Sequence, residues 1–272
     1  MSTVPRPHEV TAVVPARNAA GLLPDCLTSL RDSGVAEIIV VDGLSSDDTV
    51  AVAQAHGATV ISDDGMGLPV ARARGAKHAQ TRWVVLVDAD VVFPAGVMAS
   101  LLEEYAEGGY TALQAGLLSV AGPGYWGQAL VHHHRTGRSH RWFGLVATVF
   151  EREVLTATGF DDSFSSGEDI ELRWRMRDAG QRTGVSRQAV VEHRFAGDDY
   201  AFARSQFLMD GAGFGGMMRK HGWRGLPLAA LPAAAAARGM ALCLLRLQPR
   251  WLLYFAAFAA GNYAGMWRGL RR

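Results

Sequence analysis

The stretch Trp83-Val84-Val85-Leu86-Val87-Asp88-Ala89-Asp90-Val91-Val92-Phe93 decides how this chain is read. It is an apolar run, rich in β-branched residues, broken only by two carboxylates one residue apart. A run of that length and composition fits a strand covered on both faces. Burying an acid without a partner is costly. Asp88 and Asp90 are therefore expected where the strand ends, at the carboxyl edge where open α/β sheets place ligands. On extended backbone their side chains point the same way and would seat a divalent cation carrying a phosphorylated substrate. A turn with two solvated acids explains an isolated Asp-x-Asp equally well, so the flanking sequence has to separate the two readings.

Towards the N-terminus, residues 10–14 read as a first strand stopped by Pro15, followed by the turn Ala16-Arg17-Asn18. Residues 21–31 place Leu22, Leu23, Cys26, Leu27 and Leu30 at helical spacing. Residues 38–41 form a second apolar strand ending in Asp42. A polar loop over 43–49 leads into a helix that Gly57 stops. Residues 58–62 make a short strand, and residues 69–80 a helix carrying Arg72, Arg74 and Lys77. Beyond the quoted stretch come a helix to about Glu107, an extended region over 110–120 and a helix from about Glu168 to Gly180. Ser165 and Glu168 at the start of that last helix have capping-box spacing. Strands alternating with helices argue an α/β fold, Rossmann-like, with a mostly parallel sheet and helices on both faces. Asp42 and Asp88 then share one sheet edge. The chain has neither Gly-x-Gly-x-x-Gly after the first strand nor a phosphate loop, which disfavours dinucleotide and P-loop chemistry.

The 272 residues carry a formal charge of +1, which excludes nucleic acid as the default partner. Cys26 and Cys243, far apart, do not make a disulfide framework, and a reducing cytosol is expected. The polar, proline-containing start shows no secretory signal. Within the basic stretch that ends at Trp142, the consecutive His132-His133-His134 share no helix or strand face. They are expected on a solvated or acceptor-facing surface rather than around a metal.

The last third is different in kind. Residues 200–223 read as a basic, amphipathic interfacial helix interrupted by Gly211, Gly213, Gly215 and Gly216. Residues 226–247 are apolar but contain Arg238, expensive in a lipid core. Residues 251–267 are cleaner, with aromatic residues at both ends; at about 1.5 Å per residue they barely span a bilayer. Gly261, Gly265 and Gly269 offer a close helix–helix face, through which a homo-oligomer would form. The division expected is 1–199 for a catalytic domain and 200–272 for a membrane-associated helical region at the cytoplasmic face of the cell membrane. A soluble helical subdomain is the other reading of that tail.

Five short motifs in order resemble family 2 glycosyltransferases of the GT-A fold, over about residues 10–195. Val13-Val14-Pro15-Ala16-Arg17-Asn18 is similar to the family's opening motif and Val40-Val41-Asp42-Gly43 to its second, whose Asp holds the nucleobase. Ala71-Arg72-Ala73-Arg74-Gly75 resembles an Ala-Arg-Asn-x-Gly element, with Ala73 where Asn is usual. Asp88-Ala89-Asp90 is similar to the metal-binding Asp-x-Asp. Gly159-Phe160-Asp161 with Gly167-Glu168-Asp169 resembles the acceptor-side motif, whose Asp is the catalytic base. The resemblance implies a metal-dependent inverting transfer from a nucleotide-diphosphate sugar, UDP- or GDP-linked, to an acceptor hydroxyl. Asp169 would be the base. Pro15, Ala16, Arg17, Asp42, Arg72, Asp88 and Glu168 would contact substrate, and Asp90, Asp88 and His193 would hold Mn²⁺ or Mg²⁺. Asp88 could instead hold the ribose or a metal-bound water; Arg72 could be an ordinary exposed helix arginine, and His193 a packed one. A membranous tail would fit a lipid-linked or cell-envelope polysaccharide acceptor. The Gln-x-x-Arg-Trp motif of processive synthases is missing, which points to a single addition. A nucleotide-sugar nucleotidyltransferase would need a Gly-rich basic loop after the first strand, which residues 16–21 do not supply. A non-catalytic membrane-associated relative would not need the acids.

Overall fold

The structure, a computed structural model, describes residues 4–137 and 142–271. Residues 1–3 of the polar N-terminus, residues 138–141 of the histidine-containing stretch and Arg272 lie outside the described residues. The strands are β1 (Val10–Ala16), β2 (Glu37–Asp42), β3 (Thr59–Ser62), β4 (Trp83–Val87), β5 (Val91–Val92), β6 (Ala112–Val120), β7 (Ala147–Glu151) and β8 (Thr183–Arg194). The helices are α1 (Leu23–Asp32), α2 (Thr49–Ala55), α3 (Leu68–His78), α4 (Val97–Glu107), α5 (Tyr125–Thr136), α6 (Arg152–Thr158), α7 (Glu168–Asp178), α8 (Tyr200–His221), α9 (Leu231–Leu245) and α10 (Leu252–Arg271).

The strands form one sheet in the order β3-β2-β1-β4-β7-β6-β8-β5. Its first four strands are parallel, as the alternating sequence predicts. From β7 onward the sheet is mixed, because β7 runs antiparallel to both β4 and β6. Side-chain alternation divides β1 and β4 between two cores. Val10, Ala12, Val14, Trp83, Val85 and Val87 pack with α1, α2 and α4. Val13, Val84 and Leu86 pack on the other face with α3, α6 and α7. Small residues bring α3 against the sheet: a Cβ on Gly75 would lie 2.2 Å from Val13 Cγ1.

The chain divides into two compact units. The first comprises residues up to 118, 141–163 and 172–194; the second comprises 119–140, 164–171 and 195 onward. The tail thus shares its unit with α5 and with the first turn of α7.

In the second unit α8 is a continuous helix of 22 residues, so its glycines do not interrupt it. They give close contact instead. Gly211 faces the Asn262 carbonyl, and Gly215 faces Met266 and Gly269 of α10. Gly265 and Gly269 in turn meet the α8 backbone at Leu208 and Ala212. The small-residue face expected to join two copies is filled by α8 of the same chain. The segment that satisfies length and composition for crossing a membrane is Leu226–Leu245, mean hydropathy 1.7, rather than 251–267, among the described residues.

Candidate active site

In the first unit, β1 and β2 stop level with one another. Ala16 lies opposite Asp42, and Gly43 N–H donates to the Ala16 carbonyl at 2.9 Å. Pro15 and Ala16 are buried at this edge, and Arg17 is exposed beyond it. The Asp42 carboxylate is buried and accepts from Ser45 N–H at 3.3 and 3.2 Å. An ionised carboxylate has about four acceptor positions, so capacity remains for a donor group of a base. The loops after β1 and β2 are laced together. Asn18, at φ +51°, donates its N–H to Ser45 Oγ and accepts from Ser46 N–H. Ala19 N–H donates to Thr49 Oγ1 at 2.8 Å and Ala20 N–H to Asp47 Oδ2 at 3.1 Å. Asp47 is held below the usual carboxylate range, chiefly by the Thr49 hydroxyl.

Asp63 extends this rim and is absent from the sequence-level candidates. It is buried just past β3, its N–H donates to the Asp42 carbonyl at 3.1 Å, and its carboxylate accepts from Gly65 and Gly67 N–H. An acid two residues before Gly65, directly after a strand ranked beside β2, was the available signal.

At the end of β4, Asp88 N–H donates to the Val146 carbonyl, and Asp88 Oδ1 accepts from Arg72 Nη2 at 2.9 Å. Arg72 is buried inside the first unit, which corrects the reading of an exposed helix arginine. Burial raises the Asp88 pKa against the opposing pull of Arg72; the Asp90 charge adds to the rise. Two residues on, β5 pairs with β8 so that Val91 faces His193. That register brings His193 Nε2 within 3.2 Å of Asp90 Oδ2. Burial disfavours the imidazolium, but the hydrogen bond to Asp90 and the charges of Asp90 and Asp88 outweigh it, and the His193 pKa is raised. Asp90 Oδ1 is buried without a hydrogen-bond partner among the described residues. Cys26 lies beneath this turn with Sγ 3.7 Å from the Asp88 carbonyl; burial and the two acids raise its thiol pKa, leaving it a packing residue.

Of the three expected metal ligands, the structure brings Asp90 and His193 together and turns Asp88 towards Arg72. No group of three or more His, Cys, Asp or Glu forms a cage among the described residues. A buried carboxylate oxygen without a partner beside an imidazole nitrogen fits a divalent cation whose remaining ligands come from the substrate.

Asp169 and Glu168 open α7 and belong to the second unit. Glu168 is buried and Asp169 half-buried. Their loop is seated on α8. Gly167 takes φ +87°, and a Cβ there would lie 2.7 Å from Gly213 Cα; Ser166 Oγ donates to the Met209 carbonyl at 2.8 Å. Asp210 stands one turn before Gly213 on that face. Its surface is open to water, yet protein surrounds it at the range over which charge is felt. Burial first, then the Asp169 charge, push its carboxyl up to about 7. Its access to water moderates the rise. Deeper in, Glu171 is fully buried against Lys220 Nζ at 2.6 Å.

The consecutive histidines are not on a solvated surface. They lie half-buried on α5, each in an aromatic contact. His132 stacks on Trp251, His133 meets Phe255 and Phe258 and lies 3.0 Å from Tyr254 Oη, and His134 contacts Phe195 and Ser119 Oγ. Burial drives the His133 pKa down to about 4, so at neutral pH it is an uncharged packing residue.

Residues 11–154 match the family model described as Glycosyl transferase family 2. The pre-mycofactocin glycosyltransferase of Mycobacterium tuberculosis is 30% identical over 206 residues, 70% of this chain and 43% of that protein. Glycosyltransferase AglJ of Haloferax volcanii is 32% identical over 39% of this chain and 35% of its own length. The chain thus spans less than half the length of these curated relatives. A mannosyltransferase from Pyrobaculum calidifontis, solved in complex with GDP-Man and Mn²⁺, superposes with a TM-score of 0.66 over 97% of this chain and 88% of its own, at 22% identity. The fold is that of GT-A glycosyltransferases, with added C-terminal helices. With a family model covering more than half of its residues, this chain belongs to glycosyl transferase family 2.

Proposed function

We propose that the chain is a metal-dependent, inverting glycosyltransferase that moves a sugar from a UDP- or GDP-linked donor to an acceptor hydroxyl. The observation that carries this reading is the row of groups along one sheet edge of the first unit: Asp42, the Arg72–Asp88 pair, and Asp90 beside His193. They follow the order base, ribose and diphosphate. Asp42 accepts from the nucleobase, with Pro15, Ala16 and Arg17 along the same rim. Asp88, polarised by Arg72, accepts from a ribose hydroxyl or a water. Asp90 and His193 would hold Mn²⁺ or Mg²⁺, which offsets the charge developing on the departing diphosphate. The nitrogen ligand favours Mn²⁺. GDP-Man and Mn²⁺ in the structurally similar mannosyltransferase support this choice of ligands.

Asp169 removes the proton of the acceptor hydroxyl as that oxygen attacks the anomeric carbon. The bond to the diphosphate oxygen breaks on the opposite face, and the nucleoside diphosphate leaves with the electron pair. The product is inverted and no sugar–enzyme bond forms. Glu168 and Asp210 flank the base on the acceptor side. The acceptor is a lipid-linked or cell-envelope saccharide met at the cytoplasmic face of the membrane, a reading supported by the apolar tail. Release of nucleotide from a panel of UDP- and GDP-sugars, with and without membrane-lipid extract, tests it. No turnover of any donor, by transfer or hydrolysis, in the presence of Mn²⁺ rejects it.

A further inference from the structure

One surface of the second unit is apolar and exposed among the described residues. Helix α9 has two faces. Pro232, Ala236, Gly239 and Cys243 point inward, with Gly239 against the Phe255 ring. Ala233, Ala237, Ala241 and Leu244 point outward and are exposed. Large apolar side chains are also exposed around both helix ends. Before α9 stands Trp223, 80% exposed; its last residue, Leu245, is 81% exposed, and Leu247 in the turn into α10 is 89% exposed. Large apolar side chains that open to water are unusual in a row on one face.

Charge identifies what covers them. From Gly211 to Arg272 the sequence has eight Arg and one Lys but no Asp or Glu. Arg246 and Arg250 flank Leu247 directly, with the Arg250 guanidinium over the Trp251 ring at 4.4 Å. An apolar stripe with aromatic ends and only positive charge beside it is complementary to an anionic lipid surface. The helix lies along such a surface rather than through it. Arg238, in its middle, donates to the Thr136 carbonyl at 2.7 Å and so ties α9 sideways to α5; a crossing orientation would carry that charge into hydrocarbon.

We propose that the outward face of α9, with Trp223 at one end and Leu245 and Leu247 at the other, lies in the headgroup boundary of an anionic membrane leaflet. This deepens the membrane association proposed above and is independent of the transfer chemistry. The test is co-sedimentation of the full chain with phosphatidylcholine vesicles, with and without 30% phosphatidylglycerol, and with Leu245→Glu/Leu247→Glu in parallel. Both positions are solvent-facing, so the variant folds, which circular dichroism verifies. The expected result is binding to the anionic vesicles only, reversed by high salt, and at least ~10-fold weaker in the double variant, as for burying versus exposing two leucines. Binding that the double variant leaves unchanged overturns this surface while the membrane association stands. No binding to either vesicle overturns both. A dimer in light scattering that the double variant dissolves, without vesicle binding, assigns the face to a second copy and also overturns the proposal.

Discussion

Arg72 places its guanidinium 2.9 Å from Asp88, with only 2% of the arginine side chain exposed. A buried ion pair broken from one side leaves an uncompensated charge, at a cost of about 3–5 kcal/mol. Asp88→Asn, which leaves the buried guanidinium without its counter-charge, is therefore expected to lower the thermal midpoint more than Arg72→Met, which keeps much of the packing and leaves a carboxylate partly open to water. Differential scanning calorimetry of the two variants checks the order; equal small shifts would show that the pair contributes little.

Asp90 carries the one buried carboxylate oxygen at the strand end without a partner among the described residues. Asp90→Asn is expected to weaken Mn²⁺ binding in the presence of nucleoside diphosphate by at least the roughly 10–100-fold that perturbing a ligand's surroundings costs. Titration calorimetry reads it. Chelation is expected to abolish transfer and added Mn²⁺ or Mg²⁺ to restore it; full activity in excess chelator removes the metal from the mechanism.

Asp169→Asn keeps the shape of the α7 start and removes the carboxylate proposed as the base. Donor binding is expected to be unchanged while transfer falls by on the order of 10²–10⁴-fold. Near-normal turnover assigns the base elsewhere, with Glu168 and Asp210 the next to substitute.

Gly211→Ala opposes two effects. Alanine improves helix propensity by about 1 kcal/mol, but its Cβ would sit 2.0 Å from the Asn262 carbonyl oxygen, which is backbone and cannot turn away. Overpacking of this kind costs about 1–3 kcal/mol, so a lower thermal midpoint is expected. Gly180→Ala, in open space but at φ +72°, separates backbone strain from steric contact.

Asp210 gives a pH signature. Burial and then the Asp169 charge raise its carboxyl from the ordinary value of 3.8 towards about 7 in the folded chain, so the folded state holds the proton more tightly than the unfolded one. Between those values stability contributed by this group falls as pH rises, and it is fully present below about 4. Asp210→Asn is expected to flatten that part of the stability curve between pH 4 and 7. A wild-type curve of the same slope as the variant's would place the charge of Asp169 out of reach.

The parallel half of the sheet was legible because each of its strands is a continuous apolar run between turn signals, and Asp42 and Asp88 mark strand ends in the sequence itself. The antiparallel half was not. Nothing local in residues 147–151 or 183–194 says that they pair with β4 and β5, yet that pairing is what sets His193 beside Asp90. The glycines of α8 misled for a related reason. Their intrinsic preference argues against helix, and only contact with α10, far along the chain, outweighs it. His133 was misjudged because three adjacent polar rings look solvated until aromatic residues from α10 close around them. Asp210 gave no signal, since its partner Asp169 lies on another helix.

The seating of Gly167 on Gly213 also bears on how the protein can be cut. A boundary at residue 199 looks natural in the sequence, but the helix on which Ser166 and Gly167 are seated lies beyond it. A fragment ending there would retain the strand-end acids and lose the mould in which the proposed base is cast. Trimming the tail for solubility is thus expected to cost the proposed transfer before it costs donor binding.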